Sequence, residues 1–322
     1  MSLTFGSIKI SPGLALAPMA GITNHPFRLI AKEQGCPLVY TEMISAKGVV
    51  YNGRRTYNLF YHTDQERPIG FQIFGSDPVI MAEAASIIEN VGADFIDLNL
   101  GCPTRKITRN SEGGALMREP KLCSSIFRAV VSAVNCPVTV KLRKGWNEYF
   151  TNVVDVARRA EAEGIGAVTV HGRTVEQGYS GRADWDSITA VKAALTIPVI
   201  GNGDINSPQA AEAMFRYTGC DGIMIGRAAR GNPWIFNSVR AKLEGKPEPQ
   251  EPTLTEIVHM IYKHFMLLNN FKGEILAARE MRRHANWYIR GIPGAAAIRH
   301  KLTAITSYDE LKAILEEFLK KV

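Results

Sequence analysis

Between Leu14 and Phe236 a short apolar run and a helical stretch alternate eight times. The runs are Leu14–Pro18, Leu38–Thr41, Ile69–Phe74, Asp94–Asn99, Pro137–Leu142, Ala167–His171, Pro198–Asn202 and Gly222–Gly226. Most lack the alternation of a half-exposed strand, as expected of parallel strands covered on both faces. The intervening segments, such as "PVIMAEAASIIENVG" and "SPQAAEAMFRYTGC", have an apolar side, begin near Ser, Asp or Pro, and end at Gly. Eight βα units joined by right-handed crossovers close into a (β/α)8 TIM barrel. The competing fold is an open doubly wound sheet. It would call for G-x-G-x-x-G after an early strand, and the sequence has none there.

The beat stops after Phe236. "LEGKPEPQEPT" is rich in proline and charge, and from Leu254 onward the period is helical. The expected organisation is a barrel over residues 1–244, a linker over 245–253 and an all-helical domain over 254–322. At 46% hydrophobic and 21% charged residues the balance is globular. No apolar run is long enough to span a bilayer, and the first residues lack the basic-then-apolar pattern of a secretory leader. Five cysteines without paired spacing do not form a disulfide framework, which fits a reducing cytoplasm. His259 and His264 are five residues apart, not the four of a helical metal pair, so no metal is expected. A monomer is expected. The net charge of +7 is compatible with a polyanionic partner without requiring one.

Barrel active sites lie at the C-terminal ends of the strands. Here those ends carry Pro18-Met19-Ala20, Thr41-Glu42, Gln72, Asn99 leading to Cys102, Lys141 and Arg143, His171 and Arg173, Asn202-Gly203-Asp204, and Gly226-Arg227. A lysine inside "VTVKL" needs a reason, because an unpaired buried ammonium is costly. It either pairs with a carboxylate in the barrel mouth or faces an anionic ligand or cofactor. Glycines and an arginine after the last two strands suit a phosphate, which backbone N–H groups and a helix N-terminus can hold. A phosphate-bearing ligand follows; its identity does not.

The segments "LAPMAGITNHPFR", "FQIFGSDP", "DLNLGCPTRKITR", "VTVKLRKGW", "HGRTVEQGYSG", "PVIGNGDI", "YTGCDGIMIGRAARGNPWIF" and "HANWYIRGIPGA" are collinear over most of the chain. Together they resemble the tRNA-dihydrouridine synthases, and are most similar to the bacterial B-type subgroup. The resemblance implies an FMN-containing barrel, a helical tRNA-binding domain, and NADPH-driven reduction of specific tRNA uridines to 5,6-dihydrouridine. It implies Pro18, Met19 and Ala20 along the flavin, Gln72 and Lys141 at its ring, and His171 beside them. Asn202, Gly203, Asp204, Gly226 and Arg227 would form the phosphate end. Cys102 matches the catalytic acid. Asn99 and Arg143 are expected to hold the target base or the flavin, and Arg173 and Tyr179 to lie near the substrate.

Saturating the uracil C5=C6 bond takes a hydride and a proton on adjacent carbons. The cofactor carries the redox chemistry, and the protein must supply an acid. Thiols, with ordinary pKa values of about 8.5, keep their proton at neutral pH and can donate it. The bland reading of Cys102 is a small apolar loop residue. A base inside folded tRNA must also be extracted, with binding energy drawn from phosphates and stacking. Candidate cations are Arg54, Arg55, Arg105, Lys106, Arg109, Arg118 and Lys144 in the barrel. In the helical segment they are Arg279, Arg282, Arg283, Arg290, Arg299 and Lys301. Arg282 and Arg283 are the first choices, against a merely solvated basic face; Trp287 is expected in the small domain's core. Three other functions share parts of this pattern: an FMN barrel reducing a small pyrimidine or enone, a sugar-phosphate barrel without redox chemistry, and a tRNA-remodelling protein.

Overall fold

The structure is a computed structural model that describes residues 2–320, and within them every side chain except those of Arg54 and Arg55. Those two expected cations therefore lie outside the described side chains.

The eight runs form eight parallel strands: β1 (Leu14–Leu16), β2 (Val39–Tyr40), β3 (Ile69–Phe74), β4 (Phe95–Leu100), β5 (Val138–Arg143), β6 (Ala167–His171), β7 (Val199–Asn202) and β8 (Gly222–Ile225). From β2 to β8 each pairs with its neighbour in sequence, and β8 pairs with β1. A parallel bridge between Ala15 and Leu38 closes the ring, so the expected barrel is what the chain builds. The ends differ from expectation by a few residues. The larger departure is at β2, which breaks after Tyr40 and resumes as Ile44–Ser45, both pieces pairing with β3. The break is held by Thr41, whose N–H donates to the Gly70 carbonyl and whose hydroxyl accepts from the Gln72 N–H at 3.1 Å.

Alternation inside the ring separates two environments. Ile96, Leu98, Leu100, Val138, Val140 and Leu142 face outward into the fully buried layer beneath the helices. Between them, Phe95, Asp97 and Asn99 of β4 and Thr139, Lys141 and Arg143 of β5 face the barrel axis. The lower end of the interior is apolar. A hairpin of Leu3–Phe5 and Ile8–Ile10, not anticipated from sequence, caps it by packing onto Ala15, Tyr40, Phe95, Ala167, Ile200 and Met224. The upper end is polar and opens outward.

The barrel helices are α1 (His25–Glu33), α2 (Ala46–Val50), α3 (Pro78–Val91), α4 (Pro120–Ala133), α5 (Val153–Ala162), α6 (Asp186–Ala194), α7 (Pro208–Thr218) and α8 (Ile235–Leu243). Two of them are capped locally at both ends. The Asp77 carboxylate accepts from the Val79 and Ile80 N–H groups at the start of α3, and Gly92 ends it at φ 105°. Ser207 and Gly219 do the same for α7.

Residues 245–253 hold no helix or strand. Beyond them lie α9 (Leu254–Lys272), α10 (Glu274–Tyr288), α11 (Ala295–Leu302) and α12 (Tyr308–Leu319). Thr253 and Glu256 form a reciprocal capping box at the start of α9. These helices bury a common core that includes Phe265, Met281, Leu311 and Phe318 and takes in Ile30 of α1. The seam with the barrel is tight. Asn24 donates to Glu280 at 2.9 Å, Lys263 pairs with Glu33, and Arg283 donates to the Gly21 carbonyl. Gly231, at φ 69°, lies so close to α10 that a Cβ there would stand 2.2 Å from the Trp287 carbonyl carbon.

Candidate active site

The upper ends of the strands enclose a cavity of about 790 Å³. Lining it are Pro18, Met19, Ala20, Gln72, Asn99, Cys102, Lys141, Arg143, His171, Tyr179, Asn202, Gly203, Asp204, Gly226 and Arg227. Residues scattered over more than two hundred positions of sequence thus meet at one place. Parallel strands all end on the same rim, so each C-terminal polar residue is delivered to the same opening.

The thiol sits on a turn that is fixed from three sides. The Asn99 side-chain oxygen accepts from the N–H groups of Gly101 (3.1 Å) and Cys102 (2.9 Å). The Cys102 carbonyl accepts from the Gly114 N–H at 3.0 Å. The Gly101 carbonyl accepts from Arg143 Nε at 2.7 Å. Gly113 and Gly114 are needed for this approach: a Cβ on Gly114 would lie 2.9 Å from the Cys102 carbonyl oxygen. Cys102 itself is half-buried and faces the cavity, while Cys36, Cys123 and Cys220 are buried elsewhere. Burial drives the Cys36 and Cys123 thiols up to about 12.

Lys141 stands on the neighbouring strand, in register with Asn99. Its ammonium donates to the Asn202 side-chain oxygen at 3.0 Å, and Asn202 in turn donates to the Met224 carbonyl at 2.7 Å. No carboxylate is in ion-pair contact with it among the described residues. Burial, reinforced by nearby Arg143, brings the Lys141 ammonium down to about 7, with Asp97 acting in the opposite sense. Burial also holds His171 well below the ordinary histidine range, with Lys141 and Arg143 adding to it. His171 is therefore neutral at physiological pH.

Two arginines expected at the substrate or the flavin do structural work. Arg143 is buried, and its Nη1 donates to the Thr174 and Gly178 carbonyls at 2.8 and 2.6 Å. Arg173 is buried too and does not border the cavity. It donates to the Ser180 and Gly181 carbonyls and to both Asp204 oxygens, at 2.7 and 2.8 Å. Between them they clamp the loop that carries Tyr179 over the mouth, where the ring faces the guanidinium groups of Arg143 (5.5 Å) and Arg227 (5.0 Å). Asp204 spends its carboxylate on Arg173, Arg227 and the Ala183 N–H. Burial opposes its ionisation, but those partners outweigh burial and hold the carboxyl below its ordinary value.

The helical segment contributes differently from expectation. Arg282 Nε donates to the Ile305 carbonyl at 2.9 Å, inside that segment. Arg283 reaches the barrel at Gly21. Trp287 is half-buried at the seam and lies between the guanidinium groups of Arg230 (4.9 Å) and Arg283 (5.3 Å), rather than in the small core. Arg230 and Arg290 border the cavity, and among the described residues Arg290 alone brings the helical segment to its rim. Sequence reasoning grouped Arg290 with its neighbours but gave no reason to prefer it. It missed Met43, which the break in β2 turns into the mouth. It also missed Asp97, buried beneath the floor; the argument applied to the lysine in "VTVKL" applied equally to the aspartate in "DFIDLN".

A dihydrouridine synthase family model matches residues 15–322. The chain is 40% identical over 320 residues to "tRNA-dihydrouridine synthase B" of Vibrio cholerae, covering 99% of both chains. It is 40% identical over 324 residues to the protein of that name from Proteus vulgaris, covering 99% of this chain and all of the other. Among solved structures, histamine dehydrogenase from Rhizobium sp. 4-9 aligns with a TM-score of 0.56 at 14% identity. A 2-naphthoyl-CoA reductase aligns with a TM-score of 0.58 at 12% identity. These alignments cover 83% and 76% of this chain but only 50% and 52% of the others, and they speak to the fold alone.

Proposed function

The chain belongs to the dihydrouridine synthase family, and on that premise we propose that it reduces specific uridines of tRNA to 5,6-dihydrouridine with FMN as cofactor and NADPH as reductant. The observation that carries this reading is the meeting of a half-buried thiol, a lysine and a glycine-rich, arginine-bearing rim in one cavity. The residues suit FMN. The cavity has the size of a cofactor site. One wall, Pro18 to Ala20, is apolar; the facing strands present Gln72, Lys141 and His171. At the β7 and β8 ends, Gly203 and Gly226 expose backbone beside Arg227.

When bound, FMN would relay a hydride from NADPH to C6 of the uracil ring. The rest of the chemistry falls to the chain. Lys141, with no carboxylate partner, is free to neutralise an anionic ring edge, and an anion there would raise its pKa again. Neutral His171, 3.3 Å from Arg173 Nη1, would offer the cofactor a hydrogen bond without a second positive charge. Asn99 holds the turn from which Cys102 would protonate C5. Tyr179, set on its clamped loop, would border the extracted base. Arg230, Arg283 and Arg290 would meet tRNA phosphates at the seam. The five free cysteines fit a reducing compartment.

The test is direct. Purified protein should take up FMN, bleach with NADPH, and recover colour on addition of tRNA lacking dihydrouridine, with dihydrouridine found in the recovered RNA. Protein that bleaches with NADPH but recovers only with a free pyrimidine or enone would point to the small-molecule reductase. Protein that stays colourless after FMN is added would overturn the flavin reading.

A further inference from the structure

From the cavity lining into the layer beneath it, a chain of side-chain hydrogen bonds runs across three strands. Thr139 Oγ1 of β5 donates to one oxygen of Asp97 at 2.6 Å. Gln72 Nε2 of β3 donates to the other at 2.7 Å. The free end of the Gln72 amide, Oε1, accepts from Asn99 Nδ2 at 2.7 Å. The free end of the Asn99 amide, Oδ1, accepts from the N–H groups of Gly101 and Cys102. Asp97 is fully buried, Gln72 nearly so, and neither contact is open to water. The register explains the arrangement: Asp97 stands directly between Gln72 and Thr139 in the sheet.

An amide can turn over, exchanging its donor and acceptor ends, so its orientation must be set by a neighbour that cannot. This chain has such a neighbour at each end. An ionised carboxylate only accepts, and a backbone N–H only donates. With both ends fixed, one orientation of Gln72 and one of Asn99 satisfies every member. Turning over either amide sets oxygen against oxygen or N–H against N–H in a dry interior, where an unmade bond is expensive.

We propose that Asp97 is a positioning residue: through the Gln72 and Asn99 amides it fixes the turn that carries Cys102. The carboxylate touches neither cavity nor thiol and acts two side chains away. That the thiol is an acid rests on the function proposed above; the relay itself does not. Removing the acceptor should free Gln72, let Asn99 turn, and release the Gly101 and Cys102 N–H groups. An asparagine at this position should keep the relay. Its oxygen can accept from Gln72 while its NH2 donates to Thr139, whose hydroxyl is able to donate or accept.

The experiment compares Asp97→Leu and Asp97→Asn. In the cofactor-free chain, Asp97→Leu should speed hydrogen exchange at the Gly101 and Cys102 amides by about 10-fold or more, leaving the amides of β6 to β8 unchanged. Asp97→Asn should stay near the wild type. In the FMN-loaded enzyme, Asp97→Leu should slow reoxidation by tRNA by about 10- to 100-fold, as expected of a misplaced reacting group, while reduction by NADPH changes little. Gln72→Leu cuts the same relay one link further on and should give the same loss of protection, so the inference stays testable if Asp97→Leu does not fold. Unchanged protection at Cys102 would overturn the inference. So would loss of protection throughout the barrel, which marks a residue needed only for folding. An Asp97→Asn variant as impaired as Asp97→Leu would show that the charge matters and the relay does not. Wild-type protein without FMN or tRNA activity would refute the proposed function and leave the exchange result standing.

Discussion

At the scale of single residues, the site works by holding a few groups in unusual states with ordinary means. Lys141 is brought near neutrality by burial and Arg143, which prepares it for an anion instead of a fixed salt bridge. Asp97 is pushed up to about 6 by burial, against the pull of Thr139 and Gln72. Its folded value is raised above the unfolded one, so the stability it lends is present below about pH 4 and lost as pH rises to about 6. The Cys102 assignment yields the plainest prediction. Cys102→Ala should leave FMN binding and reduction by NADPH intact, and lower uridine reduction in single-turnover assays by about 100- to 10,000-fold, the usual range for a general acid. Full single-turnover activity in that variant would end the assignment. The sequence showed Cys102 because it stands on a Gly–Pro turn at a strand end, and Lys141 because a lysine inside an apolar strand is anomalous. It hid the work of Arg143 and Arg173, since most of their partners are backbone carbonyls, which have no sequence signature, and the one carboxylate, Asp204, comes from a different strand end.

At the scale of elements, the joint between α1 and the pair α9–α10 packs two fully buried histidines among aromatic rings. His264 and His284 stack edge to face at 4.5 Å beneath Phe27, and His264 meets the Tyr288 hydroxyl at 3.2 Å. Both nitrogens of His284 are buried without a partner. Burial brings His264 down to about 3 and His284 well below its ordinary range. A depressed folded pKa gives stability that is complete above the unfolded value of about 6.5 and is lost as pH falls below it, at up to about 1.4 kcal/mol per pH unit for each histidine. Thermal melts from pH 7 to pH 5 should therefore show a steeper loss for the wild type than for a His264→Phe, His284→Phe double variant. Equal slopes would mean the pair is already solvated. Gly231 makes a second prediction at this seam. Gly231→Ala combines a left-handed backbone with a clash against Trp287, and should cost about 2 kcal/mol or more, read by denaturant titration. A loss under about 0.5 kcal/mol would show that α10 can move aside.

At the scale of the whole molecule, the helical segment serves the barrel's mouth from one side. Arg230 of the barrel and Arg283 and Arg290 of the helical segment stand around Trp287 and the cavity rim without a carboxylate partner among the described residues. Arg282, the expected companion of Arg283, is committed to Ile305. Substituting Arg283 or Arg290 with Glu should weaken tRNA binding and reduce the slope of log affinity against log salt by about 1 each. Arg282→Ala should lower stability and leave that slope alone. Gel-shift titrations over a salt series separate the two outcomes, and an unaltered slope in the Arg290 variant would remove it from the interface.

The sequence by itself determined the barrel, several helix caps and most of the residues on the rim. Those follow from short-range rules: apolar runs of strand length, caps such as Asp77 and Ser207, and polar residues where parallel strands must end. Tertiary structure alone decided what those polar residues do. Whether an arginine faces a ligand or a carbonyl, whether Trp287 fills a core or a seam, and whether Asp97 anchors a relay depend on neighbours across the sheet or across the seam. Strand register and helix docking set those neighbours, and both are fixed by burial summed over the whole chain rather than by any local stretch of it.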